Sequence, residues 1–314
     1  MNSNNPLIKT SHNFVLDRKI LFIDSNDRDK ERWPNASEFE INCPQNYTNV
    51  ESLRLSNIML PNFFYNISEQ LQTNKMIVEF NGAPHIITLE DGCYNYTQLQ
   101  YALLTELQAI QSGSNFDVSY NSITRKFTFL NPFNQFVFRF DLPNSYDCSK
   151  VSYKTDVYAQ HSNWGLGYIL GFDKKKYSTI FAQSPPTIVS PNPCNLEDNK
   201  CIYIELEKFN KCDEIKPYLY YNYSNTSSGI VNSAFAKIPI YMFQDNKGLV
   251  NDGYFENVSY YQPPIDKISK LKLKFRYHNG MLVDFNNFNV SLSLEINQIR
   301  NEMNNYEVRT PFKI

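Results

Sequence analysis

The chain has 314 residues, of which 42% are hydrophobic and 15% aromatic, so it is long enough for one large β domain or two smaller ones. Its formal net charge of −2 argues against a protein that coats nucleic acid, because such proteins need a strong positive field. No apolar run approaches the roughly 20 residues of a transmembrane helix, and the first residues lack the apolar core of a signal peptide. We therefore expect neither a membrane span nor secretion.

The first third of the chain predicts a polar arm followed by β-strands. Residues 1–19 form the predicted N-terminal arm, because residues 1–13 offer little apolar surface to bury. Apolar and alternating runs then predict strands at residues 20–23, 39–41, 50–60, 76–80 and 85–89. The last two strands form a hairpin around Asn81-Gly82, since both residues of such a turn tolerate positive φ.

One convincing helix is predicted over residues 95–111. Asn95 is a suitable N-cap, and Gln98 three residues later completes a capping-box pattern. Gly113 lies where a C-terminal glycine is common. Apolar residues recur at helical spacing at Tyr96, Leu99, Leu103, Leu107 and Ile110. We interpret this helix as one that packs on a sheet.

The second half of the chain again predicts strands separated by long loops. Strands are predicted at 116–120, 126–129, 136–140, 202–206, 235–242 and 254–261, with a short helical turn at 165–172. Residues 183–199 are rich in Pro, Asn and Ser and form the clearest internal linker or loop, and residues 216–232 form another.

Residues 263–296 carry the clearest strand pattern. The run from Lys270 to Tyr277 alternates strictly, so Lys270, Lys272, Lys274 and Arg276, here named the basic stripe, share one face. Leu271, Leu273, Phe275 and Tyr277 share the other face and are predicted core residues. A turn follows at residues 278–280. A second alternating run places Phe288, Val290, Leu292, Leu294 and Ile296 inward and Glu295 outward.

About a dozen short strands with one helix predict an all-β protein, mainly β with one principal helix. The expected architecture is an elaborated jelly-roll-like β-sandwich with long loops. We assign residues 20–300 to the sandwich, either undivided or split into two sub-halves near 183–199, and residues 301–314 to a C-terminal tail.

The sequence gives little support for catalysis or metal binding. The four histidines, His12, His85, His161 and His278, show no zinc-binding spacing. Cys194, Cys201 and Cys212 match no zinc motif, and a disulfide between Cys194 and Cys201 is the alternative for them. We expect no catalytic residue, no cofactor, no metal and no small-molecule substrate.

Two acidic groups are candidate sites. Asp27, Asp29, Glu31 and Glu38 fit four positions of a calcium-loop frame, but Arg32 replaces its glycine, so a solvated loop is favoured. Glu205 and Glu207 share a strand face on which two carboxylates could act as acid and base, although such pairs more often lie on a solvent-facing strand. Gly165, Gly167 and Gly171 do not fit the spacing of a dinucleotide loop.

The basic stripe is the best candidate interface in the sequence. Four cations at every second residue repel one another and need an acidic partner. That partner is Glu205 and Glu207 on a neighbouring strand, another subunit, or, less favoured, nucleic acid. A solvated face is an equally weighted alternative.

Several stretches in the same order resemble minor capsid and penton-type structural proteins of nucleocytoplasmic large DNA viruses, the giant viruses. The matching stretches are Ile23-Asp24-Ser25, Asp27-Arg28-Asp29, residues 50–55 to Leu60-Pro61-Asn62, Gly92-Cys93-Tyr94 with Leu99, residues 166–172, residues 203–206, and Pro263-Pro264-Ile265 through residues 275–276, 280 and 282–285. The resemblance covers most of residues 20–296. It implies a β-rich, jelly-roll-like structural subunit without catalytic residues.

The resemblance further implies a location in the virion capsid, with assembly in the host cytoplasm. The major capsid protein and other capsid proteins are the expected partners, and a homo-oligomer is a further option. One alternative is a receptor- or glycan-binding β-sandwich on the virion surface, which the tyrosine-rich residues 218–221 would serve. Another is a β-fold hydrolase that uses Glu205 or Glu207 with a second acid.

Overall fold

The computed structural model describes residues 14–61, 64–111, 113–143, 165–179, 184–196, 201–215, 231–240, 249–250, 258–278 and 280–301. It is mostly β-structure in curled sheets, which confirms the predicted all-β, jelly-roll-like class. The strands are β1 (Phe14–Asp24), β2 (Glu38–Leu60), β3 (Lys75–Phe80), β4 (Ala83–Thr88), β5 (Asp117–Asn121), β6 (Lys126–Leu130), β7 (Phe136–Arg139), β8 (Lys176–Ser178), β9 (Thr187–Val189), β10 (Cys201–Leu206), β11 (Cys212–Ile215), β12 (Val231–Ala234), β13 (Ala236–Pro239), β14 (Leu249–Val250), β15 (Val258–Arg276) and β16 (Ser291–Asn301). The helices are α1 (Tyr96–Ala109) and the short α2 (Leu166–Ile169).

The largest sheet has seven antiparallel strands in the order β1-β16-β2-β15-β10-β13, with β14 paired to β2. Its two long strands, β2 with 23 residues and β15 with 19, pair with each other along most of their length. The register shifts between Tyr260 and Ile265 and between Ile268 and Lys270. Such bulges bend a strand and increase its twist, which lets this sheet curl around its own core.

The alternating side chains of β15 contribute one buried face to this core, as predicted. Leu271, Leu273, Phe275 and Tyr277 are each at most 3% exposed. In the register of the sheet, Leu273 lies opposite Phe39 of β2, and the rings of Phe39 and Phe275 stack with centroids 6.4 Å apart. Burying an aromatic or aliphatic side chain contributes about 1.5–3 kcal/mol, so this face supplies much of the stability of the sheet.

A second hydrophobic core is formed by the stretch of sequence between the two segments that build the large sheet. It uses residues 67–196, whereas the first core uses residues 21–71 and 202–296. The sheets β4-β3-β7-β8 and β5-β6-β9 surround the second core, which is rich in phenylalanine. The first core therefore draws on both sides of the boundary predicted near 183–199, and the assignment of two sub-halves stays a prediction.

The predicted helix and hairpin both lie in the part of the chain that forms the second core. The side-chain oxygen of Asn95 accepts from the backbone N–H of Gln98 at 2.8 Å, and the Gln98 side chain accepts from the backbone N–H of Asn95 at 3.0 Å. The capping box is therefore confirmed, and Leu99, Leu103 and Leu107 are fully buried. Strands β3 and β4 meet at Asn81 and Gly82, whose φ angles of 51° and 80° are those of the expected tight turn.

Gly171 explains the glycine-rich stretch that resembles a dinucleotide loop. Its φ is +85°, and a Cβ atom at this position would lie 2.2 Å from the carbonyl oxygen of Asn192. The backbone N–H of Asn192 donates to the carbonyl of Gly171 at 2.9 Å. The glycine thus lets two chain segments approach closely, and its role here is in packing.

Three features of the structure differ from the sequence prediction. Strand β1 begins at Phe14, inside the predicted arm of residues 1–19, because its residues pair with β16 along their whole length. Phe288 is 52% exposed rather than inward, since a turn, in which its N–H donates to the carbonyl of Phe285, interrupts the alternation before β16. Glu295 is buried, although the alternation placed it outward. Residues 1–13, 216–230 and 302–314, which include the tyrosine-rich residues 218–221, lie outside the described residues. Among the residues that the structure describes, no helix is long and apolar enough to cross a bilayer.

Candidate protein–protein interface

The basic stripe faces carboxylates on both neighbouring strands. Strand β2 places Glu38 beside Lys272 and Lys274, with Nζ–Oε1 distances of 3.1 Å and 3.5 Å. The Nζ atom of Lys272 also lies 3.7 Å from Oε2 of Glu207, which follows β10. The hydrogen bond to Glu38 is the main reason that the pKa of Lys272 is raised, so this lysine stays charged.

The two ends of the stripe differ in exposure. Lys270 lies 3.2 Å from a carboxylate oxygen of Glu40, and its side chain is 59% exposed. Arg276 is 4% exposed, and its guanidinium contacts the carboxylates of Glu205 and Glu214. Because Glu214 belongs to the two-stranded sheet of β11 and β12, Arg276 connects that sheet to the large sheet. A buried arginine with two carboxylate partners is a structural element of the fold.

All four cations of the stripe therefore have acidic partners within the chain. The predicted partners Glu205 and Glu207 are among them, and the sequence did not identify Glu38, Glu40 and Glu214. Exposed charge remains mainly at Lys270, which borders a groove of about 290 Å³ lined also by Lys267, Glu207 and Phe209. The use of the stripe as an interface stays a prediction.

A second surface carries large apolar side chains that face outward from the large sheet. Leu16, Ile20 and Phe22 of β1 are 57%, 48% and 77% exposed, Met59 of β2 is 53% exposed and Tyr260 of β15 is 62% exposed. We name these five residues the outer patch. Exposed apolar residues are ordinary when scattered singly, but three on one face of one strand, with two more on the same face of β2 and β15 in the same sheet, form a candidate contact surface.

The strand register places the outer patch on one face of the sheet. Residues that lie opposite each other in antiparallel strands point to the same side. Two neighbouring rows on this face are the row of Phe22, Ser293 and Asn57 and the row of Ile20, Glu295 and Arg54. Leu21 and Ile23 point the other way and are 6% and 2% exposed, so β1 is anchored by one face and presents the other.

An ion-pair cluster lies among these apolar side chains. Oε2 of Glu295 lies 2.7 Å from Nη2 of Arg18 and 2.5 Å from Nη2 of Arg54. Burial raises the pKa of Glu295, but hydrogen bonds from Arg54 and Asn297 and the two arginine charges outweigh this effect and hold the pKa below its usual value. The cluster therefore fixes three strands to one another at the centre of the patch.

Strand β1 is also an edge of the large sheet. Its residues from Phe14 to Asp24 pair with β16, and no other described strand pairs with β1. Within the described residues, no strand pairs with the backbone N–H and C=O groups on the other side of β1, so they are available to a further strand. An edge of eleven residues with outward apolar side chains is a template for pairing with another chain.

The other candidate sites do not assemble in the described residues. The Asp29 carboxylate accepts from the backbone N–H groups of Glu31 and Arg32, which makes it a turn cap, and Glu38 belongs to the ion pairs of the stripe. Cys194, Cys201 and Cys212 are free thiols, so the alternative of a Cys194–Cys201 disulfide was wrong. No group of three His, Cys, Asp or Glu residues that could hold a metal ion occurs in the described ranges.

The sequence contained one signal for the outer patch that the strand prediction did not use. Ile20, Leu21, Phe22 and Ile23 are all apolar, so both faces of this strand are hydrophobic. A strand of this kind is either covered on both faces or meets another molecule on one of them. In the structure Leu21 and Ile23 face the core and Phe22 is the most exposed of the four, so its face is the one left for another molecule.

Comparisons with known proteins find similarity among solved structures. No protein-family description and no curated protein matches the chain. The fold is similar to the crystal structure of the selenomethionine-labelled mavirus penton protein, with a TM-score of 0.38 and 12% identity over 90% of this chain and 98% of that chain. A likeness at this level carries no argument about function.

Proposed function

We propose that this chain is a structural protein of a large icosahedral DNA-virus capsid, of the minor capsid or penton type, and acts through contacts with capsid neighbours. The observation that carries the proposal is the outer patch, which places exposed apolar side chains on a rigid sheet. The ordered motifs of the sequence supply the viral context. The proposal gives the chain a place in the virion, no enzymatic activity, and the major capsid protein and other capsid proteins as partners.

The chemistry of the outer patch suits a protein contact. Phe22 and Tyr260 are aromatic, and aromatic side chains carry a large share of the energy at protein interfaces. The Arg18, Glu295 and Arg54 cluster holds β1, which carries Phe22, to β16 and β2, so little ordering of this strand is needed when a partner binds. Lys270 of the basic stripe, the most exposed of its four cations, offers a second contact to an acidic partner.

The chain offers a matched pair of variants to test this proposal. Phe22 is 77% exposed on the outer patch, whereas Phe133 is 74% exposed on a turn in the part of the chain that forms the second core. Phe22→Ser and Phe133→Ser remove the same side chain at almost the same exposure, and neither disturbs a core. We expect Phe22→Ser to reduce incorporation into virus particles several-fold and Phe133→Ser to leave it unchanged.

The measurement is quantitative mass spectrometry of purified particles, with the major capsid protein as the internal standard. Circular dichroism of each purified variant confirms that it is folded. Equal incorporation of both variants would remove the outer patch from the proposal. Absence of the wild-type chain from purified particles would reject the capsid function itself.

A further inference from the structure

We infer that β1 pairs with β1 of a second copy of this chain, antiparallel, with Arg18 opposite Asp24 of the second copy and Ile20 opposite its Phe22. This inference deepens the proposed capsid function and rests on it, because it names the partner for the edge of the outer patch. The two large sheets would then form one continuous sheet across the two copies.

The open edge of β1 supplies the backbone part of this contact. Strand β1 is eleven residues long and, in the described chain, has a neighbour on one side alone. Natural edge strands are usually short, bulged or covered, because a long regular edge pairs with other strands. No register shift interrupts the pairs of β1 with β16, so the edge is regular along its whole length.

The order of side chains on the outward face identifies a second copy as the partner. Outward residues along β1 include Arg18, Ile20, Phe22 and Asp24, so a cation and a carboxylate flank two apolar residues. When this strand pairs with itself around a twofold axis at Leu21, each end of the sequence faces the opposite end. Arg18 then faces a carboxylate twice, and Ile20 faces a phenyl ring twice. Opposite charges and aromatic–aliphatic pairs are the favourable cross-strand pairs of β-sheets.

Neighbouring registers lack this complementarity. A shift that centres the axis on Lys19 places two Lys19 side chains opposite each other, and centring it on Arg18 does the same for Arg18. Centring it on Ile20 places the Asp24 carboxylate opposite Leu16. Like charges that face each other destabilise a strand pair, so the register centred on Leu21 is favoured.

The contact is expected to be concentration-dependent. One pair of strands buries less surface than the roughly 1,600 Å² of a standard protein interface. A purified chain should therefore exchange between monomer and dimer in solution, and the dimer should become dominant where capsid assembly concentrates the chain. Sedimentation equilibrium over a range of concentrations measures the dissociation constant directly.

Charge reversal tests the register. Arg18→Glu places two carboxylates opposite each other, and Asp24→Lys places two cations opposite each other, so each variant should raise the dimer dissociation constant at least tenfold. The double variant R18E/D24K restores opposite charges and should recover most of the affinity. A purely structural effect of either residue, such as the contact of Arg18 with Glu295 or the cap that Asp24 gives to Asn26, would not be rescued in this way.

Disulfide trapping provides a second measurement that does not depend on those charges. Ile20 and Phe22 are both exposed, so Ile20→Cys and Phe22→Cys should fold normally. In the inferred register these positions lie directly opposite each other, within the Cα separation that a disulfide allows. A mixture of the two variants should cross-link between residues 20 and 22, as mapped by peptide mass spectrometry, and several-fold faster than either variant alone.

The outcomes separate this inference from the proposed function. A wild-type chain that stays monomeric up to about 1 mM, or a mixture that cross-links no faster than the single variants, overturns the β1 pairing. The capsid function still stands in that case if Phe22→Ser lowers incorporation into particles. Dimerisation with the predicted rescue, in a chain that is absent from particles, would instead support the pairing and reject the capsid function.

Discussion

Reversing the two central lysines of the basic stripe tests how this face of the protein is stabilised. In the double variant K272E/K274E, two carboxylates replace two cations next to Glu38, Glu40 and Glu207. From the sequence alone, this variant was expected to remain as stable as an ordinary surface variant, with a defect in assembly. The structure changes that expectation, because these lysines already bind carboxylates of the same chain.

The size of the effect follows from the contacts. Lys272 pairs with Glu38 and Glu207, and Lys274 pairs with Glu38, so three ion pairs are lost. Each partly exposed pair contributes about 0.5 kcal/mol to the free energy of unfolding, which gives about 1.5 kcal/mol. Repulsion between carboxylates at similar separations costs about as much again. The variant should therefore be less stable by about 3 kcal/mol.

The assay is urea unfolding followed by circular dichroism, at low and at high salt. The control is K272Q/K274Q, which loses the attraction without adding repulsion and should lose about half as much stability. Adding Glu38→Lys to K272E/K274E restores opposite charges at the shared position and should recover part of the loss. High salt should reduce all of these differences in the free energy of unfolding, because it screens exposed charges.

A K272E/K274E variant within about 0.5 kcal/mol of wild type would refute this reasoning. The carboxylates of Glu38 and Glu207 would then contribute nothing to the stability of the stripe. A stable variant that fails to enter particles would support the stripe as an interface with an acidic neighbour. A defect in assembly that tracks the loss of stability would mean that the stripe acts within the subunit.

Three further variants or reactions test other parts of the structure. Leu103→Ala should lower the free energy of unfolding by about 2–4 kcal/mol, because Leu103 is fully buried, and a loss below about 0.5 kcal/mol in urea unfolding would contradict its packing. Glu295→Gln should cost about 1–3 kcal/mol at neutral pH. The pKa of Glu295 is lowered in the folded state, so its contribution to stability is present above the unfolded pKa and is lost as the pH falls through the folded pKa. The free energy of unfolding of this variant should therefore change less with pH in acid than that of the wild type. Cys194 is buried and its pKa is raised to about 12, so it should resist alkylation by iodoacetamide until the chain is denatured, as mass spectrometry would show.

The sequence predicted those features that depend on neighbours along the chain. The alternation from Lys270 to Tyr277 correctly separated a buried face from a charged face, because period two follows directly from strand geometry. Asn95 and Gln98 identified the start of the helix, because a capping box involves residues three positions apart. Local chemistry was sufficient in both cases.

Features that depend on distant neighbours were missed. Glu295 was expected on the solvent side, and it is buried because Arg18 and Arg54 approach it from two other strands. The sequence placed Phe22 in a short strand but did not show whether its side chain points toward the core, because a continuous apolar run does not show which side meets the core. In each case the decisive partner lies more than 200 residues away along the chain, and the sequence alone does not give strand order.

The order of strands in the large sheet also determines when that sheet can form. In the described chain, the partners of β1 and β2 are β14, β15 and β16, all of which follow residue 248. The second core ends at Leu196, so the ribosome releases everything that core needs before it makes those partners. Proteins made from the N-terminus fold in the order of synthesis, and non-local strand pairing is slow. The outer patch therefore becomes a surface only after β16 has been made, and a chain that stops before β16 has no sheet on which to display it.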